Sequence, residues 1–138
     1  MTPFLPVRDV MSPDPARIDG FATVQDALAL MRERAISALV VERRDARDEY
    51  GMLLVADIAR EVIGRNRPVA RTDVYEIMAK PAPAVDADMD IRYAIRHLAR
   101  FDLTHAIVLH QRALVGLVTL REMTIRFIEI AAGEGAPP

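Results

Sequence analysis

The chain repeats itself. Gly51-Met52-Leu53-Leu54-Val55-Ala56-Asp57 returns as Gly116-Leu117-Val118-Thr119-Leu120-Arg121-Glu122, an offset of 65 residues. Upstream of these stretches the offset is 67: Met11 matches Met78, Val24 matches Ile91, Ala27 matches Ala94, and Val41 matches Val108. The change of two falls in the hairpin before each glycine, where chain length is cheapest to vary. A supersecondary unit that cannot bury its apolar face alone stacks on its copy. The repeat therefore predicts an α/β chain of two βαββα halves. Their sheets are expected to pack face to face about a pseudo-twofold axis.

The local patterns fill in each half. Residues 7–11 suit one helical turn, closed by the Ser12-Pro13-Asp14-Pro15 cluster, and residues 16–19 a short strand. Thr23 opens an amphipathic helix with Val24, Ala27, Leu28, Met31 and Ala35 on one face, and Asp26 stands where a capping box needs an acid. The β-branched run 36–41 reads as a buried strand, 42–49 as a charged loop, 50–55 as a strand and 56–65 as a helix. After a linker at 66–73 the order returns. Asp90 caps a helix with Ile91, Ala94, Ile95 and Leu98 on one face. Strands follow at 103–109 and 113–118 around the tight turn His110-Gln111-Arg112, then a helix over 120–132 with Met123 and Phe127 inward. Residues 2–6, with two prolines, read as an extended arm and 133–138 as a frayed tail. The first repeat spans 7–65 and the second 74–132.

Composition narrows the function. Half of the 138 residues are hydrophobic (51%) and 28% are charged, enough for a sizeable core. The net charge of -2 argues against a dedicated nucleic-acid binder, whose footprint is strongly basic. The absence of cysteine excludes disulfides and thiolate metal sites. No apolar run approaches the roughly 20 residues that span a bilayer. The first ten residues lack a signal-peptide core, so a cytoplasmic location and no membrane partner are expected. Six glycines form no phosphate-binding loop, and the three histidines have no metal-ligand spacing, so neither an enzyme nor a metal protein is expected.

The strand-to-helix junctions are the chemically interesting places. A Thr at such a corner caps the helix through its hydroxyl. Free N–H groups and the positive helix end there also suit an anion. Thr119 has this position in the second copy, with Glu122 one turn further on. The bland readings stand beside it. Thr119 caps a helix whether or not a ligand binds, and Asp57 and Glu122 favour a helix N-terminus on electrostatic grounds alone. His105 in its apolar strand suits a structural histidine as well as a phosphate contact, while His97 and His110 suit the surface. The methionines fit core positions. Arg60, Arg65, Arg67 and Arg71 read as a solvated helix end and linker.

Taken in order, Val-Arg-Asp-Val-Met, Thr-Val-Gln-Asp-Ala-Leu-Ala-Leu-Met, Ile-Ser-Ala-Leu-Val-Val and Gly-Met-Leu-Leu-Val-Ala-Asp-Ile resemble a cystathionine-β-synthase (CBS) domain, and 74–125 resembles a second. The resemblance covers about 7–130 as a tandem pair, or Bateman module. It implies a regulatory module that senses an adenosine-type small molecule, such as AMP, ADP, ATP, S-adenosylmethionine or NAD, and signals to an effector partner in trans. No catalytic cofactor is implied. In that family the motif is Gly, two apolar residues, Thr or Ser, two residues, then Asp. The hydroxyl meets phosphate or ribose and the Asp meets the ribose diol. Here Leu54 replaces the hydroxyl before Asp57, and Glu122 replaces the Asp after Thr119. The resemblance thus favours one cleft combining Ile36, Ser37 and Ala38 with Thr119, Glu122 and a phosphate-facing His105. It ranks below this a second cleft of Leu103, Thr104 and His105 with Leu54 and Asp57. Broad apolar faces on the Thr23 and Leu120 helices point to a homodimer formed through helices. The alternative is a dimerisation or scaffolding module whose degenerate motifs bind nothing.

Overall fold

The structure, a computed structural model, describes residues 4–135. Among these residues it contains seven strands in two sheets and four α-helices. The chain divides into two compact units that interleave in sequence. One comprises Ala16–Ala82; the other comprises the described residues of Met1–Pro15 and Pro83–Pro138.

The unit Ala16–Ala82 runs β2 (Arg17–Ile18), α1 (Val24–Arg34), β3 (Ala38–Val41), β4 (Gly51–Leu54) and α2 (Val55–Glu61), preceded in the chain by β1 (Ser12–Pro13), which belongs to the other unit. Its sheet order is β2-β3-β4, parallel across α1 and antiparallel across the 42–49 loop. Thr23 and Asp26 form the expected capping box: Asp26 N donates to Thr23 Oγ1 at 3.1 Å and Thr23 N donates to Asp26 Oδ2 at 3.1 Å. Val24, Ala27 and Met31 face a core shared with Leu39, Leu53 and Ile58. Ala35 departs from the expected helix face. It is an exposed cap in the left-handed region (φ 53°), because its N–H and that of Ile36 turn back to close the last helical turn. β3 accordingly starts at Ala38, two residues later than the apolar run suggests. The expected helix 56–65 also breaks. α2 ends at Glu61, and a 3-10 turn, Ile63–Arg65, closes on Asn66 in the left-handed region.

Residues 66–82 complete this unit. Val24 N donates to Thr72 O at 2.8 Å, Val74 N to Ala22 O at 2.8 Å and Tyr75 N to Gly20 O at 2.9 Å. The buried Thr72 hydroxyl donates to Pro68 O at 2.8 Å. Val74, fully buried, enters the same core through a 3-10 turn, Val74–Glu76.

The other unit holds β5 (Ala84–Asp86), α3 (Ile91–Arg100), β6 (His105–His110), β7 (Ala113–Thr119) and α4 (Leu120–Gly135). Its sheet order is β1-β7-β6-β5. Ser12–Pro13, which the sequence suggests only as a turn, pairs with Gly116 and Leu117 of β7. The 3-10 turn Val7–Asp9 plays the part that Val74–Glu76 plays in the first unit, and Val7 is fully buried among Val85, Ile91, Leu98, Val108 and Met123. Asp90 caps α3, accepting from Arg92 N at 3.2 Å, and its other oxygen takes the Arg92 guanidinium at 2.6 Å. The β6–β7 connection is tighter than its counterpart. Gln111 and Arg112 both have positive φ (51° and 68°), as a two-residue type I′ hairpin requires, and both strands lengthen. α4 continues to Gly135, so Gly133 and its neighbours are helical, while residues 136–138 and the expected arm at 2–3 lie outside the described residues.

Candidate functional site

Each unit has one corner where its last strand turns into its last helix. In the unit with Pro83, β7 ends at Thr119 and α4 begins at Leu120. Glu122 N donates to Thr119 Oγ1 at 3.0 Å, the N-cap that the sequence predicts. Leu120 N donates to Thr104 O at 2.9 Å, which ties the helix start to the strand entrance beside it. His105 faces Thr119 across the β6–β7 register, and its Nδ1 lies 2.8 Å from Thr104 Oγ1. Four expected site residues, Thr104, His105, Thr119 and Glu122, thus meet at one corner. Thr119 and His105 are half-buried; Thr104 and Glu122 are exposed. Because the Thr119 hydroxyl only accepts in the cap, its own proton remains to be donated outward. The Glu122 carboxylate accepts from Arg121 Nη1 at 2.8 Å, an exposed contact of small energetic weight.

The corner of the unit Ala16–Ala82 has the same backbone and different chemistry. Val55 N donates to Ser37 O at 2.9 Å, the counterpart of the Leu120–Thr104 bond, and Ala38 pairs with Leu54. Ile36, Ser37, Ala38 and Asp57 are therefore grouped here. Leu54 has no hydroxyl to cap the helix, so only half of a capping box forms, with Leu54 N donating to Asp57 Oδ2 at 3.0 Å. Asp57 Oδ1 accepts from Arg60 Nη2 at 2.8 Å. Both carboxylate oxygens are thus engaged before any ligand arrives, and α2 is only seven residues long.

The remaining sequence candidates fall on ordinary structure. His97 and His110 are exposed, as expected. Arg60, Arg65 and Arg67 pair with Asp57 or Glu61, with Glu61 and with Glu76. Met31 is buried in the core of its unit. Met78 and Met11 pack against the cores of the two units and cover Gly51 and Gly116, respectively.

One feature escaped sequence reasoning. At the far end of β3 from its corner, the unit Ala16–Ala82 has an open cavity of about 670 Å³ lined in part by Phe21 and Tyr75. The two rings meet edge to face with centroids 5.6 Å apart, and both are exposed. Lys80 on its wall is bound to Asp48 at 2.8 Å. That bond, with the Arg44 N–H, holds the Asp48 carboxyl far below the usual carboxylate range. The signal in the sequence was the placing of two aromatics in a chain that is only 5% aromatic.

Among the described residues no helix is long and apolar enough to cross a membrane. Comparison with known proteins bears on the family and the fold. The chain is 26% identical over 119 residues to the CBS domain-containing protein YhcV of Bacillus subtilis, covering 86% of this chain and 83% of that protein. It superposes with a TM-score of 0.87 and 31% identity on the hexameric CBS-CP12 protein from bloom-forming cyanobacteria, covering 91% of this chain and 71% of that one. The CBS domain of a bacterial CNNM/CorC family Mg2+ transporter, solved in complex with ATP, superposes with a TM-score of 0.74 and 28% identity, over 89% of this chain and 87% of that one. The CBS domain family matches residues 7–64 and again 74–128. With most of its length covered by those two matches, the chain belongs to the CBS-domain family.

Proposed function

We propose that this CBS pair is a regulatory module that takes an adenine nucleotide, AMP, ADP or ATP, at the Thr119 corner and signals to an effector partner. The observation that carries the reading is the corner itself. The Thr119 hydroxyl accepts from Glu122 N and keeps a proton to donate, beside Thr104 and His105 and at the start of a 16-residue helix. That arrangement suits a phosphate, and the ATP complex of the transporter CBS domain supports the ligand class. Glu122 would accept from a ribose diol, one methylene further out than Asp. Asp57, at the corner of the unit Ala16–Ala82 with Ile36, Ser37 and Ala38, is the weaker ribose candidate because its oxygens are already engaged.

The test is a melting-temperature panel with AMP, ADP, ATP, S-adenosylmethionine and NAD. A true ligand at about 100 times its dissociation constant stabilises by roughly 2.7 kcal/mol, several degrees for a chain of this size. Thr119→Ala is expected to abolish that shift and Asp57→Ala to leave most of it. Equal protection of wild type and Thr119→Ala overturns the corner assignment.

A second reading is a module that dimerises without a ligand. It rests on the filled Asp57 corner and on Ile125 and Ile128, which α4 leaves exposed. Under it no nucleotide shifts the melting temperature. Both readings place a second copy against the helices. Sedimentation of wild type and Ile128→Glu checks this, with the substitution expected to yield monomer.

A further inference from the structure

The cavity lined in part by Phe21 and Tyr75 has a counterpart that shows what is special about it. The second unit has a concavity at the corresponding place, of about 350 Å³. Five positions of their walls correspond at the 67-residue offset: Ala87 for Gly20, Asp88 for Phe21, Arg8 for Tyr75, His110 for Arg43 and Met11 for Met78. The fold makes the hollow twice, and the side chains decide its use. In the second unit Arg8 and Asp88 form an ion pair with each other, and His110 Nδ1 stands 3.8 Å from Asp88. The charges there satisfy one another. In the unit Ala16–Ala82 the two paired charges are replaced by two aromatic rings, and the volume is nearly twice as large.

The charges on this wall can be assigned one by one. Glu42 is held by Arg17 at 3.1 Å. Lys80 and Arg44 both lie on Asp48, at 2.8 and 3.4 Å. Arg43 pairs with no carboxylate among the described residues. Its guanidinium instead lies over the buried Tyr50 ring, 4.9 Å from the centroid, which fixes the planar fork while leaving its donors to a ligand. The floor is apolar, with Val41 and Met78. Hydrogen bonds from Tyr75 N to Gly20 O and from Phe21 N to Asp19 Oδ1, at 2.9 and 2.8 Å, set both aromatic residues on fixed backbone. Cavities of this volume are typical of small-molecule sites, whose walls are mainly apolar with a few fixed polar groups.

We propose that this cavity binds a planar aromatic molecule carrying a single carboxylate, its ring against Phe21 and Tyr75 and its anion on Arg43. Asp19 and Glu42 at the wall disfavour a multiply charged anion such as a nucleotide, so the site differs in chemistry from the Thr119 corner, which belongs to the other unit. The experiment uses the full chain labelled with 13C at the methionine methyls and titrated with indole-3-acetate, with indole and acetate as ring-only and charge-only probes. The Met78 methyl is expected to shift saturably with indole-3-acetate, weakly with indole and not with acetate. Phe21→Ala, at an exposed ring, and Arg43→Gln, at a half-buried side chain, are each expected to weaken binding about tenfold. His110→Ala and Thr119→Ala are expected to leave it unchanged. No saturable Met78 shift up to millimolar indole-3-acetate, or equal affinity in Phe21→Ala, overturns the site. Equal affinity for indole, or unchanged affinity in Arg43→Gln, overturns the anion assignment.

Discussion

Gly116 and Gly51 are equivalent in the repeat, yet their surroundings differ in how far they can yield. A Cβ at Gly116 would stand 2.4 Å from Met11 Sδ and 2.9 Å from the Ser12 carbonyl, which is backbone paired into the sheet. At Gly51 the closest atom is Met78 Sδ at 2.8 Å, the end of a flexible side chain, and the next contacts lie at 3.2 Å and beyond. Gly116→Ala is therefore expected to destabilise by about 1–3 kcal/mol and Gly51→Ala by less, measured by urea unfolding. Asp90 gives a second residue-scale prediction. Burial pushes its carboxyl up, but the Arg92 guanidinium, the Arg92 N–H and the Leu5 backbone together hold it below the ordinary carboxylate value. A folded-state pKa below the unfolded one contributes stability that is present above about pH 4 and is lost as pH falls through the folded value. Asp90→Asn is expected to lower stability at neutral pH and to flatten its decline below pH 4. An acid titration of both proteins that runs parallel would contradict this.

At the scale of the element, the α1 end stores a correctable cost. Ala35 is exposed in the left-handed region, with φ 53° and ψ 47°. A Cβ there is strained by roughly 1 kcal/mol, which glycine avoids. Ala35→Gly is expected to raise the unfolding midpoint, with the gain reduced by the larger unfolded-state entropy of glycine. This element also shows where sequence periodicity stops being informative. Ala35 continues the apolar spacing of Val24, Ala27, Leu28 and Met31, so spacing alone extends the helix. The chain must nevertheless turn toward β3, and that requirement comes from the sheet. α2 shortens for a similar reason, since Asn66 takes a left-handed turn that returns residues 66–82 to the unit they complete. The caps, by contrast, were legible. Thr23, Asp90 and Thr119 bond to backbone within three residues, so the local sequence specifies their geometry.

Across the whole molecule, the interleaving of the two compact units makes the strongest prediction. Val7 and its 3-10 turn fill the core of the unit containing α3 and α4, while Val74 and its turn fill the core containing α1 and α2. A fragment of residues 16–82 therefore has a complete core, whereas residues 1–65, cut as the repeat suggests, lack Val74 and the strap at 72–75. The 16–82 fragment is expected to unfold cooperatively by circular dichroism and the 1–65 fragment to show no transition. Cooperative unfolding of the shorter fragment would refute the regrouping. The sequence by itself determined the α/β class, the duplication, the three caps and the family, because these are written in residues a few positions apart or in the similarity of two stretches. Only the tertiary structure decided that Met11 covers Gly116 and Met78 covers Gly51, that both Asp57 oxygens are occupied, and that Phe21, Arg43 and Tyr75 surround one hollow. Those facts depend on contacts between segments distant in the chain, and the free energy that selects them belongs to packing rather than to any local stretch.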